Sequence, residues 1–405
     1  TQIVDNTSSS DVIEVYSGGV LDVRGGTATN ITQHDGAALK VTTYDLTVSG
    51  TNSEGAFSIH NNVAENVLLE NGGHLDINAY GSANKTIIKD KGTMSVLTNA
   101  KADATRIDNG GVMDVAGNAT NTIINGGTQN INNHGIATGT NINSGTQKIK
   151  SGGKADTTNI SSGSRQVVEK DGTATGSNIS AGGSLIVYTG GIAHGVNQET
   201  GSALVANTGA GTDIEGYNKL SHFTITGGEA NYVVLENTGE LTVMAKTSAK
   251  NTTVDAGGKR IVQKEAKTDS TRLNNGGVLE VQDGGEAKHV EQQSGGALIA
   301  STTSGTLIEG TNSYGDAFYI RNSEAKNVVL ENAGSLTVVT GSRAVDTIIN
   351  ANGKMDVYGK DVGTVLNSAG TQTIYASATS EKANIKGGKQ TVYGLATEAN
   401  IESGE

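Results

Sequence analysis

The sequence predicts an all-β chain, a right-handed parallel β-helix (β-solenoid) of short coils, each roughly 17–20 residues long. Three observations carry that reading. A unit of about 18 residues repeats, its aliphatic residues recur at spacings no helix uses, and 57 glycines accompany a complete absence of proline in 405 residues. Units this short cannot bury a face alone and have to stack on their neighbours. Proline, lacking the N–H donor, has no place in a continuous ladder.

The unit is clearest over residues 124–193, and its parts follow in a fixed order. First comes an aliphatic residue, at Ile124, Ile142, Ile160 and Ile179. A turn with Gly127, Gly145, Gly163 or Gly183 follows, and four residues after that glycine stands a second aliphatic, at Ile131, Ile149, Val167 or Val187. A second turn carries Gly135, Gly153, Gly172 or Gly191, two residues before Ala137, Ala155, Ala174 or Ala193. Inward positions at these spacings carry no i, i+3, i+4, i+7 stripe, so the parts are strands joined by tight turns. Glycine supplies the positive φ of such corners, and Asn tolerates it. Like residues stacked one coil above another suit parallel pairing, and parallel crossovers prefer the right hand.

Asn stands directly before the first aliphatic at Asn30, Asn141, Asn159, Asn178, Asn384 and Asn400. Strand alternation makes these a stacked amide ladder at a corner or on the surface. Rows of Asn, Thr and Ser suit lateral pairing with another solenoid through many weak contacts, which multivalency turns into firm adhesion.

The same beat opens the chain, at Val15, Gly19, Val23, Ala28 and Ile31, and closes it, at Ile385, Gly388, Val392, Ala396 and Ile401. A single continuous solenoid over 1–405 is expected, and the ending "ESGE" in mid-coil points to a fragment of a longer array. Three longer blocks interrupt the beat, at about 38–73, 203–239 and 297–334. They hold all three phenylalanines, Phe57, Phe223 and Phe318, and each closes on Leu-Glu-Asn. Two readings remain open for them: a packing wedge in longer coils, or a bend or protruding loop used in contacts.

Net charge is −12 and no basic run occurs, so nucleic acid is not an expected partner. No apolar run approaches the length of a membrane-spanning helix. Zero cysteine leaves no disulfide or thiolate metal site, and the seven histidines show no ligand spacing, so neither a metal nor a cofactor is expected. Many parallel solenoids are polysaccharide lyases or hydrolases, with clustered acids on one face. The recurring Glu70, Glu236 and Glu331 lie far apart in sequence and read as ordinary solvated residues, which leaves that enzyme class as the alternative.

The repeat "TNINSGTQKIKSGGKADTTNISSGSRQVVEKDGTATGSNI" and the block "AFSI…NVLLENGG" resemble the passenger region of AIDA-type self-associating autotransporter adhesins. The resemblance implies a β-helical passenger, not an enzyme, carried through the outer membrane of a Gram-negative bacterium by its own C-terminal β-barrel. It also implies a cell-surface location, autoaggregation and biofilm formation through homotypic contact, and attachment to a host glycoprotein. A heptosyltransferase would modify serines at the turns, here Ser144, Ser161, Ser162 and Ser180, with Ser151, Ser294 and Ser403 as lesser candidates.

Overall fold

A computed structural model describes residues 1–403, and all the regular elements in them are β-strands. The chain divides into two compact units, Thr1–Thr200 and the residues from Gly201 onward. Within each, a strand pairs in parallel with its counterpart one coil on, which is the arrangement of a β-solenoid.

In the first unit the register resolves several inward columns, four of which define the core here. Ala83, Ala102, Ala119, Ala137, Ala155, Ala174 and Ala193 form one. Ile107, Ile124, Ile142, Ile160 and Ile179 form another. The third runs Ile77, Val96, Val115, Ile131, Ile149, Val168 and Val187. All of these side chains are buried. Each fully buried Ile or Val of the second and third columns contributes about 1.5–3 kcal/mol by leaving water, and each Ala less.

The third column corrects one step of the rhythm. Val167 pairs with Lys148, and the inward residue is Val168. The turn before it shifts likewise: Gly163 lies one residue early, and Ser164 occupies the place of Gly145 and Gly183. A side chain fits there because the Ser164 hydroxyl hydrogen-bonds the Ile142 carbonyl at 2.8 Å. Plain coils are not all of one length. Val112 pairs with Thr128 in a short one, and His74 with Thr93 in a longer one.

The fourth column was not read from the sequence. It runs Leu75, Met94, Met113, Gln129, Gln147, Gln166 and Leu185, so a stretch of the plain segment has an amide core. Gln147 Nε2 donates to Gln129 Oε1 at 2.8 Å, and Gln166 Nε2 to Gln147 Oε1 at 2.7 Å. Thr140, Thr158 and Ser177 donate to the side-chain carbonyl oxygens of Gln129, Gln147 and Gln166, at 3.3, 3.1 and 2.6 Å. Buried amides are tolerated when bonded in this way.

The three Phe blocks are antiparallel excursions. Leu46–Asn52 is followed by Gly55–His60, which doubles back on it, and then by Val63–Glu65. The second unit repeats this with Asp213–Tyr217, His222–Thr226 and Glu229–Asn231, and again with Leu307–Thr311, Ala317–Arg321 and Glu324–Lys326. In this doubled strand the Phe packs inward, and the tip, as at Ser53 and Glu54, is exposed. Each Phe sits opposite a glycine, Phe57 on Gly50, Phe223 on Gly216 and Phe318 on Gly310. At Gly310 a Cβ would lie 2.0 Å from the Val290 carbonyl oxygen, so the strand packs too tightly there for any side chain. The excursion lengthens the path between paired strands, so that Lys40 meets His74 and Ile299 meets Ser335.

Candidate functional site

Outward residues on either side of the inward Ile column make one lateral face. Before that column stand Ile87, Arg106, Ile123, Asn141, Asn159 and Asn178 in successive coils. Asn159 Nδ2 donates to Asn141 Oδ1 at 2.8 Å, and Asn178 Nδ2 to Asn159 Oδ1 at 3.0 Å. In the second unit Asn400 donates to Asn384 at 3.2 Å. Two residues further on, Asn143 donates to Asn125 at 2.9 Å, a second short ladder. From Ile123 to Ser180 this face carries Ile123, Asn125, Asn141, Asn143, Asn159, Ser161, Asn178 and Ser180, all uncharged.

Asn30 does not belong to that ladder. It has φ +52° and lies two residues after Ala28, as Gly139, Thr157 and Gly176 lie two residues after their alanines with φ of +70°, +55° and +68°. It is therefore a corner residue, and the Ile31 that follows it takes the inward place of Thr140. There Asn30 and Thr29 both donate to Asp11 Oδ1 at 2.8 Å. These bonds, that from Thr29 foremost, hold the Asp11 carboxyl below its usual range. The same Asp, Thr and Asn set recurs at Asp103, Thr120 and Asn121.

The candidate serines gather at the corner after the inward Ile column. Ser144 is exposed and pairs with Asn125, while Ser161 and Ser180 are half-buried, their carbonyls closing turns onto Ser164 and Gly183. Ser162 and Ser294 are exposed at turn tips, and Ser403 is exposed and pairs with Lys386. Ser151 lies apart, on the turn that leads to Ala155.

The three recurring glutamates are not ordinary solvated residues; they are clamps. Glu70 accepts a hydrogen bond from Gly36 N at 2.7 Å, Glu236 from Gly201 N at 2.8 Å and Glu331 from Gly295 N at 2.8 Å. The Asn that follows each one donates to the carbonyl of the same glycine, at 2.8, 2.7 and 2.9 Å. In plain coils such a turn is bonded by the backbone of the next, as Gly276 N bonds Gly295 O. After an excursion the Glu-Asn pair replaces that link.

The excursion tips also reach the lateral face. Glu54 pairs with Lys89 at 3.3 Å and Arg106 at 3.4 Å. Lys219 bridges Glu236 and Asp255, each at 2.7 Å. Burial pulls the Lys219 ammonium down, but hydrogen bonds to Asp255 and Glu236 outweigh it and hold it above its ordinary range. The tip residue Tyr314 meets Asn350.

Comparison with known proteins bears on this repeated architecture. The family model described as "Adhesin of bacterial autotransporter system, probable stalk" matches residues 49–111, 215–277 and 309–370, one stretch for each excursion and the coils after it. The chain is 95% identical over 384 residues to a protein of Escherichia coli (strain K12) named "Probable autotransporter YpjA". The chain belongs to the AIDA-type autotransporter passengers. It spans about 25% of the length of that Escherichia coli relative. Among solved structures, the TibC-catalysed hyper-glycosylated TibA fragment aligns at 22% identity with a TM-score of 0.38, covering 92% of this chain and 99% of that one. In AIDA-type terms the Leu-Glu-Asn clamp and the buried Phe belong to the matched stretches, and the Asn and Gln ladders of residues 123–180 fall between them.

Proposed function

We propose that this passenger is a non-enzymatic adhesin on the surface of a Gram-negative cell. It binds copies of itself on neighbouring cells, which produces autoaggregation and biofilm, and it attaches to a host glycoprotein. One observation carries the reading: a chain with net charge −12 has a lateral face uncharged from Ile123 to Ser180 and laddered with Asn. Two negatively charged copies repel over most of their surface, and such a face lets them approach. Its amides keep donors and acceptors for a partner, and many weak contacts in register add up. A heptosyltransferase would modify the corner serines beside this face, Ser144, Ser161, Ser162 and Ser180 first, and the passenger's own C-terminal β-barrel would carry it to the surface.

Display of the passenger on non-aggregating cells tests this, with proteolytic release as the control. Displayed cells should settle and bind epithelial cells, and Asn141→Asp with Asn159→Asp should slow the settling. Cells that stay suspended and unattached would refute the adhesin reading.

A further inference from the structure

We infer that a groove beside the third excursion is a carbohydrate-binding subsite that takes a pyranose ring against Tyr358, a proposal that deepens the adhesive reading and rests on it for its biological role. The observations lie within the second unit. Tyr358 stacks on Tyr375 with ring centroids 4.2 Å apart and planes 11° apart, and Tyr375 leans on Tyr393 at 6.4 Å. A hydrogen bond with Tyr358, and the charge of Asp356, push the Tyr375 phenol up to about 12, so it stays a neutral hydrogen-bonding group at neutral pH. Tyr375 covers one face of the Tyr358 ring. The preceding coil pairs Val338 with Val357 and so offers only the short Val339 below Tyr358, which remains 41% exposed.

Tyr358 also lines a groove of about 550 Å³, together with Glu324, Thr340, Arg343, Lys360 and Thr379. Its volume lies within the roughly 300–1,000 Å³ of small-molecule sites. The lining pairs one rigid aromatic wall with carboxylate, hydroxyl, guanidinium and ammonium groups. Glu324 is paired with Arg343, and Lys360 with Glu381 at 2.8 Å. A flat apolar ligand would desolvate these ion pairs without bonding their outer edges, and a small ion would ignore the ring. A sugar ring meets both demands, because one face is C–H and the rim is hydroxyl. Galactose configuration suits best, since its axial hydroxyl leaves three adjacent C–H groups on one face.

The preceding excursion supplies an internal comparison. There Glu229, Ser248 and Lys267 stand where Glu324, Arg343 and Lys360 stand, in a groove of about 740 Å³. It holds no aromatic residue, so it should not bind the same sugar.

Saturation-transfer NMR of the purified chain with millimolar lactose and 3′-sialyllactose tests the site. Transfer is expected to the galactose C–H face, with roughly tenfold weaker binding in Tyr358→Ala and near-native binding in Tyr358→Phe. Thr340→Arg, at an exposed turn, narrows the groove without touching the tyrosine stack and should also weaken binding. Circular dichroism checks that each variant keeps its strands. No transfer to either sugar, or equal transfer in Tyr358→Ala and Thr340→Arg, overturns the site. On displayed cells Tyr358→Ala should lower attachment and leave settling unchanged. If it attaches like wild type, the subsite falls and the adhesive reading stands; if wild-type cells do not attach at all, the adhesive reading fails while the NMR judges the groove.

Discussion

Arg260 is the least expected residue of the core. It is fully buried in a column between Leu241 and Leu279, where its guanidinium bonds the Thr271 hydroxyl and the Ala249 carbonyl while Nε has no partner. Burial drags its pKa far below the ordinary arginine value, to about 9, against a weaker pull from Asp269. The sign follows. Below about 9 both folded and unfolded chains carry the charge, and the full burial cost is present. Between about 9 and the ordinary arginine value the unfolded chain holds the proton more tightly, so stability rises with pH. Arg260→Leu should therefore stabilise the chain by about 1–4 kcal/mol at pH 7, with a gain that shrinks above about pH 9. Denaturant midpoints at neutral and alkaline pH check this, and a less stable Arg260→Leu at neutral pH contradicts it.

Asp361 gives the opposite slope. It is buried in the column of Ala344 and accepts hydrogen bonds from Thr364, Gln372 and Ser380. Burial is the larger effect and holds its carboxyl above the ordinary 3.8, despite those bonds. The folded chain thus keeps this proton more tightly, and the stability so gained is complete below 3.8 and lost as pH rises through the folded value. Asp361→Asn should remove that contribution to the pH slope, whatever it does to the absolute stability. A slope unchanged in the variant would show that Asp361 folds as an ordinary carboxylate.

At the scale of elements, the excursions depend on their clamps. Glu331 is only 8% exposed, and its loss leaves the Gly295 N–H without its partner. Glu331→Ala should cost about 1–3 kcal/mol, with the Gly295 amide exchanging faster than the Gly276 amide, whose carbonyl partner stays in place. Equal protection in wild type and variant argues against a clamp. The plain coil was legible because identical residue types recur in register, so Ile142 and Ala155 announce their columns. The doubled strand was not, since Phe57, Phe223 and Phe318 look inward whether their strand runs forward or back. Nor were the clamps, because a Glu after an inward Leu reads as solvated until the glycine beneath it is located. The Gln column left a signal that went unread: Gln129 and Gln147 each precede an inward Ile by two residues, and strand alternation then points them inward as well. Asn30 failed for the complementary reason, since the aliphatic after it fills a different inward place.

At the scale of the whole molecule, the proposed contact between copies depends on charge. Net charge is −12, so two chains repel at long range, and the face uncharged from Ile123 to Ser180 offers contact only once that repulsion is screened. The Debye length falls from about 30 Å at 0.01 M salt to about 8 Å at 0.15 M. Hydrogen bonds between Asn, Thr and Ser rows are far less sensitive to salt than ion pairs. Settling of displayed cells should therefore speed up as salt rises across that range and then level off. An interface of ion pairs built from Arg106, Asp108 and their like would behave in the opposite way, weakening as salt rises. Settling that slows steadily with added salt would move the contact from the amide face to the charged coils on either side of it.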